Sequence, residues 1–265
     1  LDIDASASSQ FVSGLLLVAA RFEQGLTLRH TGHELPSLPH IEMTLETLRS
    51  RGVDARSLDE RSWRVEPGAI SGGEVVIEPD LSNAGPFLAA AMVCAGQITI
   101  PHWPSKTTQV GAEFERILPL MGATVVREGQ DLVVSGSGTI SGLDIDLSIG
   151  GELAPTIAAL ATLAQSPSTI TGIAHLRGHE TDRLAALTKE INGLGGSCTE
   201  LPDGLSISPA PLRSGKWSTY QDHRMATAGA IIGLRIQGVE VENIATTSKT
   251  MPEFPQLWSQ MLESN

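Results

Sequence analysis

Aromatic side chains are scarce in this chain, at 4% of 265 residues. Ala, Leu, Ile and Val must therefore fill its core, and small residues let helices approach closely. Cysteine is nearly absent. Cys94 and Cys198 are the two present; they lie far apart, lack metal-ligand spacing and are too few for a secreted disulfide framework. They read as buried or half-buried reduced thiols. Basic residues are short as well, 18 against 30 acids for a net charge of -12. Nucleic acid as a general partner is excluded, because a phosphate backbone needs a basic surface. A small anionic ligand is not excluded, since it responds to a local cluster. No run has the length of a membrane span, and no signal-peptide pattern is visible, so a cytoplasmic protein without a membrane partner is expected. The sequence opens at Leu1 without Met and enters a strand-like Leu1-Asp2-Ile3-Asp4 at once. It reads as a piece of a longer protein.

Apolar residues are present in quantity, at 41%, and Gly is frequent, at 27 residues, which provides a full core and many tight turns. Self-comparison reveals a module of about 70 residues, longer than solenoid periods. Each copy starts with a small or polar turn that runs into an apolar helix. Ser8-Ser9-Gln10-Phe11 leads into Leu15 to Ala19, Ser82-Asn83-Ala84 into Phe87 to Ala91, Glu152-Leu153-Ala154-Pro155 into Ile157 to Leu160, and Asp222-His223-Arg224 into Ala228 to Ile232. Period-two alternation predicts a strand after each helix, at 26–28, 97–100, 168–171 and 239–241. A second, amphipathic helix follows in each copy, carried by Ile41, Leu45 and Leu48, by Phe114, Ile117 and Leu118, by Leu184, Leu187, Ile191 and Leu194, and by Phe254, Leu257, Trp258 and Met261. A β-ribbon closes the first three copies, with 63–65, 132–134 and 205–207 as later strands. The first helices are apolar nearly all round, which predicts helices inside and sheets outside. Pro67-Gly68 and Ser71-Gly72-Gly73 break the pattern, and a domain boundary is placed before Glu78, giving 1–77 and 78–265.

Two charged clusters stand where turns enter helices: His179-Glu180-Thr181-Asp182-Arg183 and Asp222-His223-Arg224-Met225. A helix N-terminus offers free N–H groups and a positive dipole end, and arginine adds a planar fork for carboxylate or phosphate. A chain that repeats this device is suited to a small, highly anionic substrate. Glu152, before Pro155 and an apolar helix, is either a carboxylate with a raised pKa acting as base or a solvated first-turn acid. Ser8, Ser9 and Gln10 are ligand contacts or simple caps, and Ser37 by itself reads as a cap. His175 and His179 are spaced i,i+4 but lack the helical His-Glu-x-x-His pattern of zinc sites. Glu180 and Arg183 can form an ion pair, and Thr181 or Asp182 can cap the next helix. Arg224 requires an anion, either Asp222 or a ligand. Lys249 is a surface lysine or an anion contact.

The strings Ser8-Ser9-Gln10-Phe11, His179-Glu180-Thr181-Asp182-Arg183-Leu184, Asp222-His223-Arg224-Met225-Ala226 and Lys249-Thr250 resemble, in order, the motifs of the 5-enolpyruvylshikimate-3-phosphate synthase family. The resemblance implies a mixed α/β (α+β) fold, an inside-out α/β barrel of repeated βαβαββ modules with buried helices and sheets outside. It also implies transfer of the enolpyruvyl group of phosphoenolpyruvate to the 5-hydroxyl of shikimate-3-phosphate, with release of phosphate, toward chorismate and the aromatic amino acids. No metal or organic cofactor is implied, the partners are the two small-molecule substrates, and the full-length protein is expected to be a monomer. By this likeness Glu152 accepts the 5-hydroxyl proton and Glu180 moves protons at the phosphoenolpyruvate methylene. Ser8, Ser9, Gln10, Ser37, Glu152, His175 and His179 touch shikimate-3-phosphate, while Gln10, Arg183, Arg224 and Lys249 hold phosphoenolpyruvate. Glu152 stands where many members have Asp, His179 where many have Lys, and His175 where Asn is frequent. Family members carry a further N-terminal stretch with a Gly-Ser-Lys-Ser-like turn and another arginine. Residues 1–77 would then belong to the shikimate-3-phosphate domain and 78–265 to the phosphoenolpyruvate domain. The family is the target of glyphosate. Two alternatives remain: an inactive fragment that needs its missing segment, or the related UDP-N-acetylglucosamine enolpyruvyl transferase, which uses a reactive cysteine.

Overall fold

The computed structural model describes residues 1–33, 35 and 37–263. They form two compact units, Leu1–Ile77 with Lys106–Val110, and Glu78–Ser105 with Gly111–Asn265. The first unit is one βαβαββ module: β1 (Asp2–Ile3), α1 (Gln10–Ala19), β2 (Leu26–His30), α2 (Leu38–Ser50), β3 (Ala55–Asp59) and β4 (Ser62–Val65). Its sheet runs β1-β2-β4-β3. β1 lies parallel to β2, because a helix connects them, and the closing ribbon is antiparallel. Ile41, Leu45 and Leu48 recur at helical spacing and bury against Val12, Leu16, Leu28 and Trp63. Gly52, at φ +79°, ends α2 in the left-handed region that glycine enters without strain. Although α1 reads as apolar all round, one face only is covered. Phe11, Leu17 and Val18 are exposed, because this unit contains a single module.

The second unit contains three copies. The first is α3 (Leu81–Val93), β5 (Gln97–Ile100), α4 (Phe114–Leu120), β6 (Thr124–Glu128) and β7 (Asp131–Ser135). The next is β8 (Asp144–Asp146), α5 (Ala154–Thr162), β9 (Ser168–Thr171), α6 (Arg183–Gly193), β10 (Ser197–Leu201) and β11 (Gly204–Ser208). The last is β12 (Gly215–Trp217), α7 (His223–Gly233), β13 (Val239–Val241) and α8 (Phe254–Glu263). The sheets run β5-β7-β6, β10-β11-β9-β8 and β12-β13. β8 pairs parallel with β9, and β12 with β13, as β1 does with β2. The leading strands β8 and β12 are not anticipated above. A signal for β8 exists: Leu143-Asp144-Ile145-Asp146 repeats Leu1-Asp2-Ile3-Asp4.

Helices occupy the middle of this unit. Every residue of α5 and all of α3 except Asn83 are buried, and Ala and Gly make that possible. A methyl group on Gly229 would lie 2.5 Å from the Trp217 ring, and one on Gly85 2.5 Å from Phe114. Two local readings are corrected. Ser82-Asn83-Ala84 do not precede the helix; α3 starts at Leu81, because the Asp80 side chain accepts the Asn83 N–H and provides the cap. Cys94 is exposed at the end of α3, whereas Cys198 is buried in β10. Among the described residues no helix is long and apolar enough to cross a membrane.

Candidate active site

In the second unit the turns before successive helices converge their charged side chains. Asp182 caps α6 by accepting from the N–H groups of Leu184 and Ala185, both at 3.1 Å, so Asp182 rather than Thr181 takes this role. The cap makes Arg183 the first helical residue and turns its side chain inward, where it is 2% exposed. A guanidinium this deep needs opposite charge and filled hydrogen bonds. Its Nε donates to Asp222 Oδ2 at 2.7 Å, and its Nη2 donates to Asp222 Oδ1 at 3.2 Å and to Glu180 Oε2 at 2.9 Å. Arginine has five donors; the remaining two, on Nη1, face His179, whose Nδ1 is 3.4 Å away.

Asp222 is fully buried and also caps α7, accepting the Arg224 N–H at 2.8 Å. Its carboxylate therefore balances Arg183 and not the neighbouring guanidinium. Arg224 instead approaches Glu152 Oε1 at 3.9 Å, the outer limit of an ion pair. Ser82 Oγ, on α3, donates to the same Glu152 oxygen. Lys249, in the 3-10 turn before α8, donates to Glu180 Oε1. His175 and His179 have ring centroids 5.9 Å apart. The His175 ring lies against Gly151, where a Cβ would come 2.4 Å from its Nε2. Lys249, Glu180, Arg183 and Asp222 thus form one chain of side-chain contacts, Ser82, Glu152 and Arg224 form a second, and the Asp222 carboxylate, which accepts the Arg224 N–H, joins them at the starts of different helices. Ser82 was missed as a site residue; its only signal was a place in the polar turn of the second copy. Among the described residues no group of three or more His, Cys, Asp or Glu side chains is placed to hold a metal.

The candidates of the first unit stand at two helix starts. Ser8 Oγ accepts the Gln10 N–H at 3.2 Å, Ser9 is buried, and Gln10 is exposed at the first position of α1. Ser37 precedes α2 but makes no side-chain cap. It is held at φ +57°, ψ +47°, a costly conformation for a residue with a Cβ. The simple capping reading of Ser37 therefore fails, and its hydroxyl is not used by the helix.

Charge in the cluster is well defined. Burial acts to raise the Glu180 pKa, yet the hydrogen bond from Lys249 and the charges of Arg183 and Lys249 bring it down to about 2. Glu180 is ionised at neutral pH. Burial, followed by the arginines, lowers His179 and His223, the latter to about 4. Burial lowers His175 too, with Arg183 adding to it and Asp203 opposing. All three imidazoles are neutral, so Arg183, Arg224 and Lys249 supply the positive charge. Burial also lowers Arg224, with Glu152 opposing it.

These shifts predict an acid-labile second unit. The folded state keeps His223 neutral down to about pH 4, whereas an unfolded histidine takes its proton near 6.5. The unfolded chain then binds more protons, so this contribution is complete above pH 6.5 and lost as pH falls toward 4. The urea midpoint should drop between pH 7 and pH 4.5, and His223→Gln should shallow that drop. An equal drop in both proteins would show that His223 does not cause it.

Comparison with known proteins places this geometry in context. The family model of EPSP synthase (3-phosphoshikimate 1-carboxyvinyltransferase) matches residues 1–258. A 3-phosphoshikimate 1-carboxyvinyltransferase from Kocuria rhizophila is 61% identical over 264 residues, which are 99% of this chain and 59% of that protein. The chain thus spans less than two thirds of the relative it matches. An EPSP synthase structure from Acinetobacter baumannii covers 98% of the chain and is itself covered to 62%, with a TM-score of 0.81 at 23% identity. The enolpyruvyl transferase NikO from Streptomyces tendae shares the fold, with a TM-score of 0.67 at 17% identity over 93% of this chain and 57% of its own. By the extent of the family match and the identity to its relative, the chain belongs to the EPSP synthase (3-phosphoshikimate 1-carboxyvinyltransferase) family.

Proposed function

We propose that this chain contributes the phosphoenolpyruvate side, and part of the shikimate-3-phosphate side, of a cytoplasmic, monomeric enolpyruvyl transferase. The observation that carries this reading is the convergence of three cations on two carboxylates in the second unit, Arg183 and Lys249 around Glu180 and Arg224 beside Glu152. Phosphoenolpyruvate and shikimate-3-phosphate are both polyanions, and bringing them together costs repulsion that fixed cations offset. In this reading Arg183 Nη1, Arg224 and Lys249 hold the carboxylate and phosphate of phosphoenolpyruvate. Glu152 removes the proton of the 5-hydroxyl as its oxygen adds to C2, while C3 gains a proton. The adduct then loses phosphate and one C3 proton, and the enol ether forms.

Glu180 is ionised, so it serves as the acceptor of the departing C3 proton. The proton first added at C3 is supplied through its hydrogen bond with Lys249. Residues 1–77 belong to the shikimate-3-phosphate domain, with Ser8, Ser9, Gln10 and Ser37 as contacts and His175 and His179 adding neutral donors from 78–265. The UDP-N-acetylglucosamine alternative is disfavoured by its cysteine. Cys198 is buried in a strand, with its pKa raised by burial, which is unsuited to a reactive thiolate in a mobile loop.

Phosphate release from phosphoenolpyruvate tests the proposal, with shikimate-3-phosphate or UDP-N-acetylglucosamine as acceptor. The chain is assayed alone and with the remaining segment of its relative supplied in trans. Little turnover alone and restored, shikimate-3-phosphate-dependent turnover in the mixture is expected. Full turnover by the chain alone would refute dependence on a further segment. Turnover with UDP-N-acetylglucosamine alone as acceptor would refute the substrate assignment.

A further inference from the structure

The loop that delivers Asp222 to Arg183 has an unusual backbone. Tyr220 and Gln221 are consecutive non-glycine residues at φ +53° and +58°. Each sits where a Cβ crowds the chain, and two in succession persist only when surrounding contacts hold them. The Asp222 N–H donates to Thr219 O at 2.8 Å, which closes the turn. A buried carboxylate anchors it from outside. Glu190, on α6 and 7% exposed, accepts the Ser218 N–H on Oε2 at 2.9 Å and the Tyr220 hydroxyl on Oε1 at 2.5 Å. Both oxygens of the acid are thus spent on a single loop. Burial and the adjoining Glu190 raise the Tyr220 pKa, so the phenol remains a donor. Lys189 lies over the Tyr220 ring, 5.6 Å from its centroid.

Glu190 and Arg183 are seven residues apart, two turns of the same helix, and therefore share a face. Arg183 grips Asp222 at one end of the loop, and Glu190 grips Ser218 and Tyr220 at the other. We propose that Glu190 is a positioning residue for the anion clamp: it holds the left-handed turn that sets Asp222 against Arg183 and so leaves Arg183 Nη1 on the His179 side, clear of Asp222 and Glu180. The inference rests on the reading of Arg183 as a phosphoenolpyruvate ligand, but the turn and its anchor can be judged separately.

The test uses the 265-residue chain, with two readouts. Nitrogen-15 NMR follows the Arg183 Nε–H, which should exchange slowly because Asp222 holds it in the interior. Calorimetric titration with phosphoenolpyruvate measures affinity. In Glu190→Ala the slow Nε–H signal should vanish and affinity fall by about tenfold or more, the loss of one well-formed charged hydrogen bond. Glu190→Gln should restore both, since its amide oxygen can accept from Ser218 N–H and its NH₂ can donate to the phenol oxygen. Tyr220→Phe removes one of the two anchors while Glu190 Oε2 keeps the Ser218 N–H. It should lose part of the exchange protection while circular dichroism stays unchanged, and it decides the matter if Glu190→Ala does not fold. An unprotected Arg183 Nε–H in the unmodified chain, or full protection in folded Glu190→Ala or Tyr220→Phe, would overturn the proposal. Unchanged affinity in Arg183→Ala would instead refute the ligand role of Arg183, and the exchange readout would still rule on Glu190.

Discussion

Arg183→Ala is expected to weaken phosphoenolpyruvate binding by about 100-fold or more and to destabilise the second unit by about 3–5 kcal/mol. The two losses have different origins. Binding falls because the Nη1 donors disappear, and a charged hydrogen bond contributes roughly 1.5–3 kcal/mol, with about 1.4 kcal/mol for each tenfold in affinity. Stability falls because Asp222 is fully buried and two of its interactions come from this guanidinium. Removing the cation strands an ionised carboxylate in the interior. Urea unfolding and calorimetric titration separate the effects. Adding Asp222→Asn should recover much of the stability, by removing the stranded charge, and none of the affinity. Arg183→Lys should not rescue binding, because a point charge cannot hold Asp222, Glu180 and a ligand in one plane. A stability loss under 1 kcal/mol would show that Asp222 finds another partner.

Glu152→Gln in the complemented enzyme should lower turnover by about 10²–10⁴-fold, the usual weight of a general base, with little change in stability. The amide oxygen of Gln can still accept from Ser82 Oγ, which donates to Glu152 now, so the packing around the residue is retained. The substitution also removes the carboxylate nearest Arg224, at 3.9 Å. Phosphoenolpyruvate affinity should therefore hold or tighten while turnover collapses. Steady-state phosphate release, analysed for kcat and KM separately, checks this split. A variant within a few-fold of normal turnover would refute Glu152 as the base. A loss confined to KM would make it a binding residue.

Much of the fold was legible because its signals are local. The turns at Ser8-Ser9-Gln10 and Asp222-His223-Arg224 that run into apolar helices, and the alternating strands at 97–100, 168–171 and 239–241, depend on neighbours a few residues away. The leading strands β8 and β12 were not anticipated, because each owes its existence to a partner strand across a helix, and the one local sign, the repeat of Leu1-Asp2-Ile3-Asp4 at Leu143-Asp144-Ile145-Asp146, belongs to β8 alone. Cys94, read as buried or half-buried, is exposed because it stands at the C-cap of α3, one residue past the last buried position. The start of α3 shifted because Asp80, outside the small polar turn, was the better cap.

Composition, periodicity and capping alone determined a repeated α/β architecture, a weakly aromatic helical interior and the positions where charged turns enter helices, since each follows from short-range sterics and hydrogen bonding. Only the tertiary structure decided which charge meets which. Asp222 lies two residues from Arg224 in sequence yet balances Arg183, 39 residues away, and Glu180 joins Lys249, 69 residues on. A buried ion selects the partner whose geometry satisfies it most completely, and that geometry exists only once the helices have packed.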